Sequence, residues 1–204
     1  MKRARVLLLA VAAFAAPQAA QAHLVVTGMG PIYDGISHFA FSPEDYLPIV
    51  VLGFFAGLRG ARTSRFSLGA LTAGWIAGGL IAMLGLNLPP IATSLATAGL
   101  FLAIGGMLSA DLKVPAEAGA AVAAALGLVR GTADLAGVSP SFAHALTLIG
   151  MSASVFVVFA IAASITLPLQ RAWLVIAARV SGSWLAALGL LLVGWIARYG
   201  AVVR

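Results

Sequence analysis

The sequence predicts an all-α membrane bundle of about six transmembrane helices behind a cleaved signal peptide. Composition is the first observation. Of 204 residues, 62% are hydrophobic and 9% charged, with a mean hydropathy of +1.07, whereas soluble domains carry roughly 25% charged residues. The second is pattern: apolar stretches long enough to span a bilayer recur between short polar ones. The third is the distribution of charge. The formal net charge is +6, yet most basic residues sit at the ends of apolar runs, where they set topology and snorkel to the interface. The expected partner of this surface is the lipid bilayer, and a nucleic-acid interface is excluded. There is no cysteine, so thiolate metal sites and thiol catalysis are excluded too.

Residues 1–22 read as the signal peptide. Lys2, Arg3 and Arg5 form its basic start, Val6 to Ala15 its apolar segment, and Ala20-Gln21-Ala22 a small-x-small cleavage site. A first transmembrane helix is the competing reading, but Pro17, Gln18 and Gln21 cut the apolar run to about ten residues, too few to span. Cleavage makes His23 the first mature residue. Its free α-amine and imidazole together form a bidentate metal ligand, although the position after a cleavage site is also nearly free to vary. Residues 23–41, with Gly28, Gly30, Pro31 and Gly35, read as an extracytoplasmic ordered loop or short re-entrant piece. Residues 42–204 form the transmembrane domain.

Ser42-Pro43-Glu44-Asp45 opens the first span, since serine caps, proline suits the first helical position and the acids face the free backbone N–H groups. The span runs from Pro43 to Leu58 and ends at Arg59, Arg62 and Arg65, which mark a cytoplasmic loop. The second covers Ser67 to Leu86, with Gly74, Gly78 and Gly79 offering a face for close packing. It ends at an outer turn, Asn87-Leu88-Pro89-Pro90. The third runs from Ile91 to Leu108. The fourth, Pro115 to Val129, is so alanine-rich that it belongs among other helices rather than against lipid. The fifth covers Phe142 to Leu167 and the sixth Trp173 to Ile196. Both mature termini then lie outside a bacterial inner membrane, with Arg59, Arg62, Arg65, Lys113, Arg171 and Arg179 on the cytoplasmic side.

This topology puts His38, Glu44 and Asp45, at the start of the first span, level with Arg130 and Asp134, at the end of the fourth. Ionisable groups at a membrane are costly, so their convergence points to a site. Simpler roles stand beside it. Glu44 and Asp45 can serve the helix start, Arg130 and Asp134 can form an i,i+4 pair, and His144 reads as a packing histidine.

The layout resembles that of the HupE/UreJ family, hydrogenase and urease accessory membrane proteins regarded as nickel or cobalt permeases. The family's first motif is a histidine, five intervening residues, then Asp-His leading into an apolar helix. Here His38 is followed after five residues by Glu44-Asp45. The second reads approximately His-Gly-x-Ala-His-Gly-x-Glu, and this chain has Arg130-Gly131-Thr132-Ala133-Asp134-Leu135-Ala136-Gly137. Gly131 and Ala133 match the frame. Arg130 and Asp134 replace its histidines, and Gly137 stands where it has glutamate.

The resemblance implies a divalent cation, nickel or cobalt, as substrate, with His38, Glu44, Asp45, Asp134 and His23 as candidate ligands and Arg130 among them. It also implies a membrane or metalloenzyme-maturation partner. Arg130 opposes a cation at that position, so a non-transporting scaffold or assembly subunit that has lost the metal site is the alternative. The scaffold also accounts for deep spans whose polar groups are serines, threonines and Met83, Met107 or Met151, where a transporter needs ligands near the midplane. No nucleophile–base pair or phosphate loop is visible, so the sequence does not read as an enzyme.

Overall fold

The computed structural model describes residues 27–167 and 172–199. The expected signal peptide and His23 lie outside the described residues. Seven helices follow one another, and no strand occurs among the described residues: α1 (Pro31–Phe41), α2 (Pro43–Arg59), α3 (Ala61–Met83), α4 (Pro90–Ser109), α5 (Ala116–Asp134), α6 (Phe142–Thr166) and α7 (Ala172–Tyr199). Prolines near the starts of α1, α2 and α4 occupy positions whose N–H has no helical partner anyway. Ser141 caps α6 by accepting from the His144 N–H at 3.1 Å.

Helices α3, α4, α6 and α7 are each long and apolar enough to cross a membrane, and α1 with α2 qualify together as one span bent by 75°. The segment expected as an ordered loop or short re-entrant piece folds as the helix α1, broken from α2 at Ser42, a geometry that a broken span and a re-entrant piece share. Helix α5 falls outside that group because Glu117, Arg130 and Asp134 lie within its 19 residues. As its composition predicts, it is enclosed. Only Glu117, Ala121 and Leu128 are exposed along it.

Four close helix pairs build the bundle, each through glycines that let backbones meet. In the α3–α5 pair, a Cβ on Gly74 would lie 2.5 Å from the Ala124 carbonyl oxygen, and one on Gly131 would lie 2.3 Å from that of Trp75. Residue numbers rise together along the two helices, so they run parallel. In the α4–α7 pair Gly105 meets Gly182 and Ala186 while Gly189 meets Ala98, an antiparallel register. Helix α6 takes α1 through Gly35 against Thr147 and Gly150 against Ile32, and takes α2 through Gly53 and Gly57 against Phe159 to Thr166. Helices α2 and α6 are parallel, and the contacts agree with a chain that reverses at every connection from α2 to α7.

Two local expectations are corrected. The arginines do not make a loop. Arg59 ends α2, Gly60 alone links the helices with φ of 101°, and Arg62 and Arg65 are already in α3. Only glycine takes that backbone conformation without strain. Arg59 and Arg62 instead reach the α4–α5 region, where Arg59 bonds Asp111 in the connection at 2.6 Å and Arg62 bonds Glu117 in the first turn of α5 at 2.8 Å. Ser42 does not cap α2 with its side chain, because its hydroxyl donates to the His38 carbonyl at 2.7 Å.

Candidate metal centre

The break between α1 and α2 brings two consecutive turns of chain to one end of the bundle. His38 lies in the last turn of α1, and Glu44 and Asp45 in the first turn of α2. Helix α5 continues past the expected Val129 to Asp134, so Arg130 and Asp134 are helical and reach the same end. Gly131, against the Trp75 backbone, fixes how close α5 can stand to α3. Phe39 packs edge-on to Trp75 at 6.1 Å and ties α1 to the same pair.

Arg130 sits between the carboxylates. Its Nε donates to Asp45 Oδ1 at 2.6 Å, and its Nη2 lies 2.5 Å from that same oxygen and 3.1 Å from Asp134 Oδ1. Glu44 Oε1 is 4.0 Å from Nη2. Asp45 is wholly buried and the Asp134 side chain is 4% exposed, whereas the Glu44 side chain is 54% exposed. Glu44 and Asp45, adjacent in sequence, thus play different parts. Asp45 is not a cap but a buried partner of a guanidinium 85 residues away, and Glu44 alone keeps the solvent-facing place at the helix start.

An arginine fork that meets a carboxylate head-on engages both oxygens. Here both donors converge on one oxygen of Asp45, and Asp45 Oδ2 and Asp134 Oδ2 are buried without a hydrogen-bond partner. Such atoms are expensive unless something satisfies them. His38, half-buried, completes the arrangement, since His38, Asp45 and Asp134 each offer a ligand atom within 4.8 Å of the others. One imidazole and two carboxylates suit a divalent cation of intermediate hardness. The donor set fits such an ion, and the guanidinium beside it opposes one.

Of the expected candidates, the fold unites His38, Asp45, Asp134 and Arg130, leaves Glu44 at the rim, and His23 lies outside the described residues. His144 is elsewhere, its ring Nδ1 2.8 Å from the Ser139 carbonyl oxygen. Deeper in the bundle Met83, Met107 and Met151 are core residues, and the buried Ser67, Thr97 and Ser152 hydroxyls have no partner. The link from Asp45 to Arg130 was not foreseen, nor was Pro48, which lies inside α2 and removes the N–H that the Glu44 carbonyl would accept. The sequence carries no signal for the first, since Asp45 shares a helical stripe with Ile49, Leu52 and Ala56 while Glu44 shares one with Pro48, Val51 and Phe55, and both stripes are apolar and buried.

The family model for the HupE / UreJ protein matches residues 9–192. No curated protein and no solved structure gives a significant match to the chain.

Proposed function

This chain belongs to the HupE/UreJ family, and from that premise we propose that it is a multi-pass membrane protein handling a divalent metal ion. The ion is its substrate, held between His38, Asp45 and Asp134 at one end of the bundle. The observation that carries this reading is the 4.8 Å cluster of three ligands from α1, α2 and α5, two of whose carboxylates keep a buried oxygen unpartnered. Nickel and cobalt are the metals that family membership favours, and imidazole with carboxylate is a donor set both accept. In this reading the carboxylates and His38 strip part of the ion's hydration at the outer face of a bacterial inner membrane. The glycine-lined helix pairs supply the close packing that shifts to pass it on. The orientation is supported by Arg59, Arg62, Lys113 and Arg179, which gather at the opposite end against Asp111, Glu117 and the Ser109 carbonyl.

A second reading is favoured by one observation of its own. Arg130 already pairs with both Asp45 and Asp134, as a structural cluster in a non-transporting accessory subunit would require. Nickel and cobalt binding to the purified protein in detergent separates the two, measured beside His38→Ala, which removes a ligand without removing a partner of Arg130, and His38→Ala/Asp45→Ala. Saturable binding that disappears in both variants supports the metal site. Absence of binding in the intact protein leaves the structural cluster as the function of these residues.

A further inference from the structure

We propose that Arg130 is a tethered competitor for the metal, and that Glu44 receives its guanidinium when a divalent cation settles among His38, Asp45 and Asp134. This rests on the metal reading of the cluster and adds how the site is regulated. The guanidinium cannot lose its proton, so an arriving cation must coexist with it or move it. Its present hold is one-sided, since its contacts to Asp45 and to Asp134 use only the Oδ1 of each. The unpartnered Oδ2 atoms of both remain buried at the cluster.

A place to move to is already beside it. Glu44 Oε1 lies 4.0 Å from Nη2 on a side chain 54% exposed, and a shift of about 1 Å makes that contact a hydrogen bond. Charge balance points the same way. With the carboxylates deprotonated, as metal ligands must be, Glu44, Asp45 and Asp134 against Arg130 leave two negative charges uncompensated, which one divalent cation cancels and a monovalent one does not. With the metal on Asp45 and Asp134, the remaining pair is Arg130 with Glu44, at the wetter edge of the cluster. Glu44 in this scheme is a positioning residue that acts through Arg130.

The test is a cycle of nickel affinities in detergent for the intact protein, Arg130→Gln, Glu44→Gln and the double variant. Removing the competitor tightens binding by about tenfold, and Glu44→Gln weakens it by a similar factor in the intact background only. Unchanged or weaker binding in Arg130→Gln overturns the proposal, as does a Glu44→Gln effect of the same size in both backgrounds, which would make Glu44 a simple electrostatic attractor. Nickel bound by Arg130→Gln alone supports the competition while overturning metal handling by the native chain. No nickel in any of the four overturns both. Should Arg130→Gln not fold, the native protein with diamagnetic zinc gives the answer through the Arg130 Nε–H resonance. Zinc is expected to expose that proton to solvent exchange as its bond to Asp45 breaks, and continued protection at saturating zinc overturns the proposal.

Discussion

Asp45 and Asp111 are both carboxylates paired with arginine, and their surroundings give the two pairs different weights. Asp45 is completely buried and takes two contacts from Arg130. Removing one partner of a buried pair strands the other, at a cost of about 3–5 kcal/mol. Asp45→Asn is therefore expected to lower stability by that amount in a denaturant titration in detergent micelles, and a loss under about 1 kcal/mol would mean that water reaches the cluster. Asp111 lies in the α4–α5 connection, where the hydrogen bond and charge of Arg59, with Arg179 and Lys113 behind them, hold its carboxyl below the usual range. Its folded pKa is depressed, so the contribution is full above the unfolded value of about 3.9 and disappears as pH falls through the lower native value. The pair is exposed on the Asp111 side, 44%, which limits it to less than about 1 kcal/mol. Melting curves of Asp111→Asn should lie slightly below those of the native protein at pH 7 and merge with them in acid. Asparagine tolerates the φ of 54° found at this position, so the comparison isolates the charge. A gap that persists in acid would locate the effect in the backbone instead.

Among the helices, space decides more than sequence propensity does. Gly131 has the Trp75 carbonyl oxygen 2.3 Å from where a Cβ would go, whereas Gly69 has nothing within 4 Å. Gly131→Ala is expected to destabilise by about 1–3 kcal/mol and, on the proposed metal reading, to weaken nickel binding, because it pushes Arg130 and Asp134 away from Asp45. Gly69→Ala, on the same pair of helices, should be neutral or gain up to about 1 kcal/mol. Equal effects from the two, measured by thermal melting, would disprove the packing account. The helices themselves were legible: Pro43, Pro90 and Phe142 begin or nearly begin elements where hydropathy and proline chemistry put them. The partners of each helix were not. Gly74 and Gly78 announce a close contact without naming α5 as its other side, and Gly35 with Gly150 gave no sign of joining α1 to α6, because a small residue carries no address. The candidate site was half legible for the same reason. Common membrane depth brought His38, Asp45 and Asp134 together, but only the fold separates Asp45 from Glu44, whose sequence contexts are nearly identical.

Taken whole, the molecule has its ionic cluster at one end and its surplus of arginines at the other, an asymmetry that orientation in the membrane should follow. The absence of cysteine makes single-cysteine labelling clean. A cysteine at Leu88 is expected to react with a membrane-impermeant maleimide added to intact spheroplasts, and one at Leu112 only after lysis. The reverse pattern would put the cluster on the cytoplasmic face. The one-residue link at Gly60 has a consequence for motion between those ends. Helix α2 carries Asp45, α3 is locked to the helix that carries Arg130 and Asp134, and the two are joined at the far end by a single glycine. They form a pair of tweezers, pivoted at Gly60 and tipped with carboxylates. From Asp45 to Gly60 is about 20 Å of helix, so a turn of about 5° at the pivot parts the tips by roughly 2 Å. The width of the grip at one membrane face is thus set at the other, by the backbone angles of the single glycine, φ of 101°, that joins α2 to α3.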